Sequence, residues 1–574
     1  YVPEGTAWGA ALEVVSENVD SLIASHKYLL LGLIYDWSRG VAVWNPEPAG
    51  SIAAGRIGFA LLPFFNDYQN EDQLKRVLEV IAKVPNSNPE AFLDLLSRAS
   101  DHSRDDRAAY EFGKMMVLGC ESTFACRSFP DAIVKMTLQR ICLSDEDIPR
   151  HGSFGSRMEI GCHFGVDAAW EFDSSPASSL RGPFGPLLAS NPNKGVELIT
   201  SLINHACDWY GEKKWPDDQL ESAWRIDIVV PGTGKITQWA NMRLWQMHRG
   251  TSVAPDVLQS ALMALESWLH GVCENHSDVA ENWLIHVLKS SNNVALTSVV
   301  ASACIAYPFI AGKAGLALIS HKDAVEMDRS RMVSDQNSPS AIFNMFPTPD
   351  AMKEVFQSER TTSDKLPHRK HDLEHLARTL QQTPLREDVW SILDGYRVAL
   401  PDISEQTEED RLWRLALHRM DLRHYTRVDS DTDVPICAAD PELDEADANI
   451  IFSAAPVDPD IQEMLDESEP EQSRVNEALS LSNWAIRCWE GKAEEDDVQL
   501  WKDMLNAAQN SIKSSEPLPV FATDGPGVIV AVCVRDHWNE LDPEDKVWCV
   551  ERLSLIHISE PTRQTNPKSM PSSG

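Results

Sequence analysis

Apolar residues recur three and four positions apart along much of this 574-residue chain, and that spacing constrains the fold more than any other feature. Leu12, Val15, Val19, Leu22 and Ile23 mark one such face, Leu78, Val80 and Ile81 a second, and Phe92, Leu93, Leu95 and Leu96 a third. A 3.6-residue period gathers these side chains into one stripe, so each segment is expected to be an amphipathic helix that must bury its stripe against another. Helix starts are written in as well. Asn88-Pro89-Glu90 and Asp542-Pro543-Glu544 each place a capping side chain before a proline, whose missing N–H is harmless in the first turn, and then an acid that the helix dipole favours.

A unit of this kind recurs. Ser87-Asn88-Pro89 leads into AFLDLLSRAS, Ser190-Asn191-Pro192 into NKGVELITSLINHA, and Ser291-Asn292-Asn293 into VALTSVVASACIAYP. A polar cap, a helix with leucine or valine at three- and four-residue spacing and a small residue allowing close approach resemble HEAT-type repeats, whose paired helices stack because neither buries its apolar face alone. The expected fold is all-α, an α-solenoid of HEAT-like helical repeats with an inserted β-hairpin and a disordered acidic linker. Ordinary capped helices in a globular α protein are the alternative.

Interruptions divide the chain. Residues 1–142 read as helical repeats, and 143–190 as a Gly/Pro/Ser-rich loop insertion containing Gly182-Pro-Phe-Gly-Pro186. Residues 191–320 read as further repeats with a hairpin over 224–239, where RIDIVV and KITQWA flank Pro231-Gly-Thr-Gly234. Residues 321–428 form a helical region ending in a basic helix. From Asp429 to Glu471 there are fifteen acidic residues and no Lys or Arg, so 429–474 is expected to be a solvated linker. A C-terminal helical piece, 475–552, follows. Residues 553–563, Leu-Ser-Leu-Ile-His-Ile-Ser-Glu-Pro-Thr-Arg, resemble a translated sequencing adapter, and 553–574 is expected to be an adapter-derived scar. With Tyr1 in place of Met and the pattern before residue 553 cut in mid-course, the chain is expected to be an internal fragment of a longer bacterial reading frame of metagenomic type.

The formal charge of −36 opposes general binding to nucleic acid or anionic lipid. The longest uncharged apolar run, Tyr28 to Tyr35, falls well short of the ~18 residues a membrane span needs. Eleven cysteines, an odd number without CxxC, point to free thiols in a reducing cytoplasm.

Reaction motifs fail on inspection. Pro231-Gly-Thr-Gly-Lys235 lacks the first glycine of a phosphate loop, having Val229, and its hydroxyl residue, having Ile236. His371-Asp-Leu-Glu-His375 matches HxxEH, with His368 as a third ring, yet its only downstream Glu candidates, Glu442 and Glu445, lie in the acidic linker. Asp429, Asp431 and Asp433 resemble a calcium loop but are followed by Val434 where glycine belongs. No catalytic, cofactor-binding or metal residue is therefore assigned, and no cofactor is expected within the fragment. Arg411, Arg414, Arg419, Arg423 and Arg427 form the one basic helical run, either a cradle for an anionic partner or a charge neutralised within the molecule. Trp224, Trp239 and Trp245, with Phe154 and Phe184 in the loop, are the candidate partner surface, although tryptophans are as often core anchors.

The hairpin, Met242-Arg-Leu-Trp-Gln-Met-His-Arg-Gly250 and Leu258-Gln-Ser-Ala-Leu-Met-Ala-Leu-Glu266 together resemble the helical C-terminal region of large bacterial STAND-type nucleotide-dependent sensors, including anti-phage sensors, over about 200–320. That resemblance implies an ATPase module upstream, none of whose motifs stands here, and a role in detecting a protein partner. The expected function is non-catalytic protein recognition. The alternative is an α/α-toroid glycoside hydrolase using carboxylates such as Glu159, Asp167, Glu171 and Asp173.

Overall fold

The computed structural model describes residues 6–42, 47–100, 105–144, 163–167, 176–212, 221–250, 253–337, 351–428, 433–435, 451–466, parts of 480–489, 498–513 and 525–556. It divides into two compact units, Tyr1–Ala455 and Pro456–Gly574.

The first unit is mostly helical. Its early helices are α1 (Thr6–Glu17), α2 (Val19–Ser38), α3 (Ser51–Phe65) and α4 (Glu71–Lys83), with α3 packed on the other three. Next come α5 (Pro89–Ala99), α6 (Arg107–Leu118), α7 (Thr123–Ser128) and α8 (Pro130–Ile141), in which α5 packs on both α6 and α8. Then α9 (Phe184–Ser190) and α10 (Pro192–Glu212) pack on each other, and α10 also packs on α8. Helices near in sequence are thus near in space, and their apolar stripes merge into one core running from Leu12 to Met420. The three asparagine caps are formed as the sequence predicts: Asn88, Asn191 and Asn293 accept from the backbone N–H of Ala91, Lys194 and Leu296 at 3.2, 3.4 and 3.0 Å.

The predicted hairpin is present as β1 (Trp224–Val230) and β2 (Gly234–Ala240), antiparallel with Trp224 opposite Ala240. Gly232 and Gly234 turn it at φ of 74° and 89°, a region glycine enters without a Cβ clash. The hairpin is fastened by Trp239 N–H donating to Asn292 O at 2.8 Å, so the third cap segment also seats the strands.

Short α11 (Met242–Gln246) leads to α12 (Asp256–Asn275), α13 (Ser277–Ser290), α14 (Val294–Ala306), α15 (Pro308–Ile319), α16 (Lys322–Asn337) and α17 (Ala351–Asp364). Helix α14 is central, buried along nearly its whole length, and packs on α12 and α15. It is therefore apolar all round, apart from small hydroxyls, rather than amphipathic. The unit ends with α18 (Leu373–Leu380), α19 (Arg386–Ala399) and α20 (Glu408–Met420).

Three expectations are corrected. The loop insertion 143–190 contains helix α9, because Pro183 sits just ahead of the first turn and Phe184, Leu187 and Leu188 are buried. Its segment 176–183 is anchored: Ser178 donates to Glu359 Oε2 at 2.6 Å and Arg181 lies 4.3 Å from the Phe356 ring centroid on α17. The basic run is not one helix, since Arg423 stands in a 3-10 turn and Arg427 in β3 (Tyr425–Val428). Finally, the acidic segment includes β4 (Asp433–Pro435) and β5 (Ile451–Ala454), which flank β3 in the order β4-β3-β5. Acidity sets average burial, but pairing needs only backbone groups and a short apolar stretch such as Ile451-Phe452, which the count of charges overlooked.

In the second unit, α21 (Trp501–Lys513), α22 (Gly525–Asp536) and α23 (Pro543–Ile556) surround a small core that includes Trp484, Leu505, Ile529 and Leu541. Pro543 opens α23 where the sequence places it.

Candidate functional site

The densest polar chemistry among the described residues lies inside the first unit, around α14. An apolar helix can face ionised groups only if every one of them is partnered. Glu266 and His270 stand one turn apart on α12, and Ser298 and Ser302 one turn apart on α14. The 3-10 turn Met247–Arg249 supplies His248 and Arg249, and the turn Pro367–Lys370 supplies His368 and Arg369. Glu266, His248, Ser302, His368 and Arg369 are all buried, while His270 is half-buried.

Arg369 grips Glu266 with both prongs of its guanidinium, N–H to Oε1 and to Oε2, each at 2.7 Å. Burial pushes the Glu266 carboxyl up, but the Arg369 charge more than offsets it and holds the group well below the usual carboxylate range. The Ser302 hydroxyl also donates to Glu266 Oε1. Around that hydroxyl stand His368 Nε2 at 3.3 Å, His270 Nε2 at 3.5 Å and an Arg369 N–H at 3.3 Å. The two imidazoles meet edge to face, 4.7 Å between centroids.

His248 closes the other side. Its Nδ1 lies 3.1 Å from Trp245 O and 3.0 Å from Ser298 Oγ, and Ser298 gives its own proton to Ala295 O. Both neighbours of Nδ1 therefore act as acceptors, which places the ring proton there and turns the lone pair of Nε2 toward Glu266 Oε1, 3.8 Å away. Burial pushes the His248 pKa down to about 3. Burial, with the Arg369 charge, brings His368 to about 2, and burial also lowers His270. Burial thus disfavours the charged form of all three rings.

An ion lattice supports this centre from α16 and α17. Arg331 forks onto Asp328 at 3.0 Å through two N–H groups and reaches Asp335 at 3.0 Å. Arg249 donates to both Asp335 oxygens at 2.9 and 3.0 Å and to Asp364 at 3.0 Å. Arg360 donates to Gly250 O. The Trp245 indole N–H donates to Asp328 at 3.1 Å.

The arrangement is not a nucleophilic triad. In a triad an imidazole separates hydroxyl from acid, whereas here the hydroxyl proton goes directly to Glu266 and the acid is locked by Arg369. What the centre does offer is lone pairs: Glu266, His270 and His368 each present one ligand atom, all within 4.8 Å of one another.

The HxxEH string is not a metalloprotease helix. Asp372 caps α18 by accepting from His375 N–H at 3.0 Å, so His371 falls before the helix begins. The two rings stack at 3.9 Å, and Glu374 is buried and forked by Arg419 at 2.7 and 2.8 Å. His368 faces the Glu266 centre.

Of the predicted partner surface, only Trp224 is openly exposed, at 43%. Trp239 is half-buried, its indole N–H on Asp208 at 3.0 Å and the Arg225 guanidinium 3.6 Å from its ring centroid. Trp245 and Phe184 are core residues, 0% and 1% exposed, and so belong to no surface. Phe154 lies outside the described residues. Within the basic run, Arg419 pairs with Glu374, and Arg423 with Asp394 and Asp421. Arg411 and Arg414 are half-buried on α20, and the side chain of Arg427 lies outside the described residues. Of the glycosidase carboxylates, Glu159, Glu171 and Asp173 lie outside them too, and Asp167 is buried. The calcium-loop string is described only over Asp433–Pro435, as β4.

Sequence reasoning did not single out Glu266 and His270 as a pair. The signal was there: a carboxylate in the apolar run LQSALMALESWLH with a histidine one turn on. Its partner Arg369 is 103 residues away, beyond any local pattern.

Among the described residues, no helix is long and apolar enough to cross a membrane. No protein-family profile matches the chain, and no curated protein matches it.

Proposed function

We infer that this chain is a non-catalytic helical-repeat scaffold that recognises a protein partner, as the sensing part of a larger nucleotide-dependent defence protein of the STAND type would. One observation carries the reading. Trp224 on β1, Val279 on α13 and Phe309 on α15 are exposed at 43, 39 and 74%, and these three elements pack on one another. Apolar side chains exposed together as a contiguous patch mark association surfaces, and adjoining elements are where such a patch would form. The charge of −36 adds that the partner's contact face is apolar with basic residues around it. Neighbouring helices pack in pairs, α3 on α4, α5 on α6 and α9 on α10, as they do in a repeat array, and the Trp-bearing hairpin interrupts the helical order while packing on α10, α13, α14 and α15.

The test is capture by the purified chain and by a Trp224→Ser, Phe309→Ser variant, from lysate of a host expressing candidate partners, read by quantitative mass spectrometry. The reading expects a discrete protein enriched by the unmodified chain and lost at least tenfold with the variant. Identical profiles for the two chains overturn it.

A further inference from the structure

The geometry points to a zinc site at Glu266, His270 and His368, in which the carboxylate and the two Nε2 atoms supply three ligands and a water or Ser302 Oγ the fourth. Several observations converge on it.

The first is proximity. The three ligand atoms all lie within 4.8 Å of one another. Around tetrahedral zinc, bonds of about 2.0–2.1 Å put ligand atoms about 3.4 Å apart, so closure needs shifts of at most about 1.4 Å between them. His270, the one half-buried residue of the three, is the side chain best placed to make that movement by rotation.

The second is an oversubscribed hydroxyl. A serine Oγ has one proton and two lone pairs, three hydrogen-bonding positions. Ser302 Oγ is approached by four groups: Glu266 Oε1, His270 Nε2, His368 Nε2 and an Arg369 N–H. One of the four contacts is necessarily unmet. A cation that takes the lone pairs of both imidazoles and of Glu266 satisfies them together and releases the hydroxyl to be a ligand or to bond the bound water.

The third is the donor set. Two imidazoles and one carboxylate are the ligands of a zinc centre with an open fourth position, and a centre of this kind needs its carboxylate oriented by a further hydrogen bond. Arg369 does this: its fork occupies one lone pair on each oxygen of Glu266, and the second lone pair of Oε1, on the side of the histidines, takes the Ser302 proton that an ion would displace. Glu266 and His270 are already aligned by their one-turn spacing on α12. The site would link α12 to the 3-10 turn Pro367–Lys370, two elements far apart in sequence, and the −36 field draws cations toward the chain.

The experiment uses the full chain without a histidine tag, stripped with a chelator and titrated with zinc chloride against a chromophoric competitor. The expected result is one zinc per chain, with affinity reduced at least tenfold in His270→Ala and unchanged in His375→Ala, which lies outside the cluster. His368→Ala is the second variant; because it could unfold, its circular dichroism is recorded alongside. A cobalt-loaded sample supplies the independent reading: intense visible bands of tetrahedral cobalt in the unmodified chain, altered in His270→Gln. Failure of the folded chain to take up zinc overturns the assignment. So does uptake that His270→Ala leaves unchanged, which would place the ion elsewhere.

Discussion

Arg369 and Glu266 are held by two parallel hydrogen bonds of 2.7 Å although 103 residues separate them in the chain. The pair joins α12 to the turn ahead of α18, and no water-exposed route relieves either charge, since both residues are buried. Desolvating such a pair costs nearly as much as its attraction returns, so its value lies in the penalty for breaking it.

Removing one partner should therefore be far worse than removing both. Arg369→Met, which leaves Glu266 ionised and buried, is expected to destabilise the first unit by about 3–5 kcal/mol. The double variant Glu266→Leu, Arg369→Met should recover a large part of that loss. Urea denaturation followed by circular dichroism measures both. A double variant as unstable as the sum of the two single ones would show that the residues do not act as a pair.

Acid should weaken the same region through its histidines. The folded pKa of His248 is about 3 and that of His368 about 2, against an ordinary 6.5, because burial disfavours the charged rings. Below 6.5 the unfolded chain binds protons that the folded chain refuses, so stability falls as pH drops from about 6.5 toward 3. Above 6.5 both states are neutral and these residues add no pH dependence. Each histidine contributes a slope of at most about 1.4 kcal/mol per pH unit in that window. His248→Gln is expected to flatten the fall between pH 6.5 and 4.5, measured as urea midpoints across a pH series. A slope as steep in the variant as in the parent would rule His248 out as its source.

The asparagine caps differ in what surrounds them, and their substitution should differ accordingly. Asn88 caps α5 with a single bond to Ala91 N–H, in an exposed setting. Asn293 caps α14, is 0% exposed, and also donates to Asn204 Oδ1 at 2.8 Å. Asn88→Ala should cost about 1 kcal/mol. Asn293→Ala should cost more, by about 1–3 kcal/mol, because besides the cap it removes the bonds its amide donates to Asn204 Oδ1 and Asn292 Oδ1 at a site closed to water. Equal midpoints for the two variants would contradict the burial of Asn293.

These caps show how much of the molecule was legible. Helix starts, the hairpin and its Pro-Gly-Thr-Gly turn depend on residues within a few positions of one another, and each could be read from its own short string. The Glu266 centre could not, because its character comes from Arg369, Ser302 and His368 brought in by three other elements. Charge counting left the basic run open between two readings and misread the acidic stretch, for the same reason. The arginines at 419 and 423 take the internal reading, finding Glu374, Asp394 and Asp421 across helix boundaries. The acidic stretch holds strands that pair with β3, a partner outside its own composition. Trp245, taken with its neighbours as surface, is drawn inward by Asp328, 83 residues on.

Trp224 and Trp245 then make an opposed pair of predictions. Trp245 is fully buried and its indole N–H is one of the donors that hold Asp328, alongside Arg331 and Leu373 N–H. Trp245→Phe keeps most of the apolar volume but withdraws a hydrogen bond to a charged acceptor, a loss of about 1.5–3 kcal/mol. Trp224, 43% exposed at the start of β1, supports little packing, and Trp224→Ser should change stability by no more than about 0.5 kcal/mol. Partner binding should show the reverse order, with Trp224→Ser weakening it and Trp245→Phe leaving it intact at temperatures where the fold persists. Thermal denaturation and a binding titration on the same two variants separate the roles. If Trp224→Ser lowered stability and spared binding, the surface assigned to β1, α13 and α15 would have to be placed elsewhere.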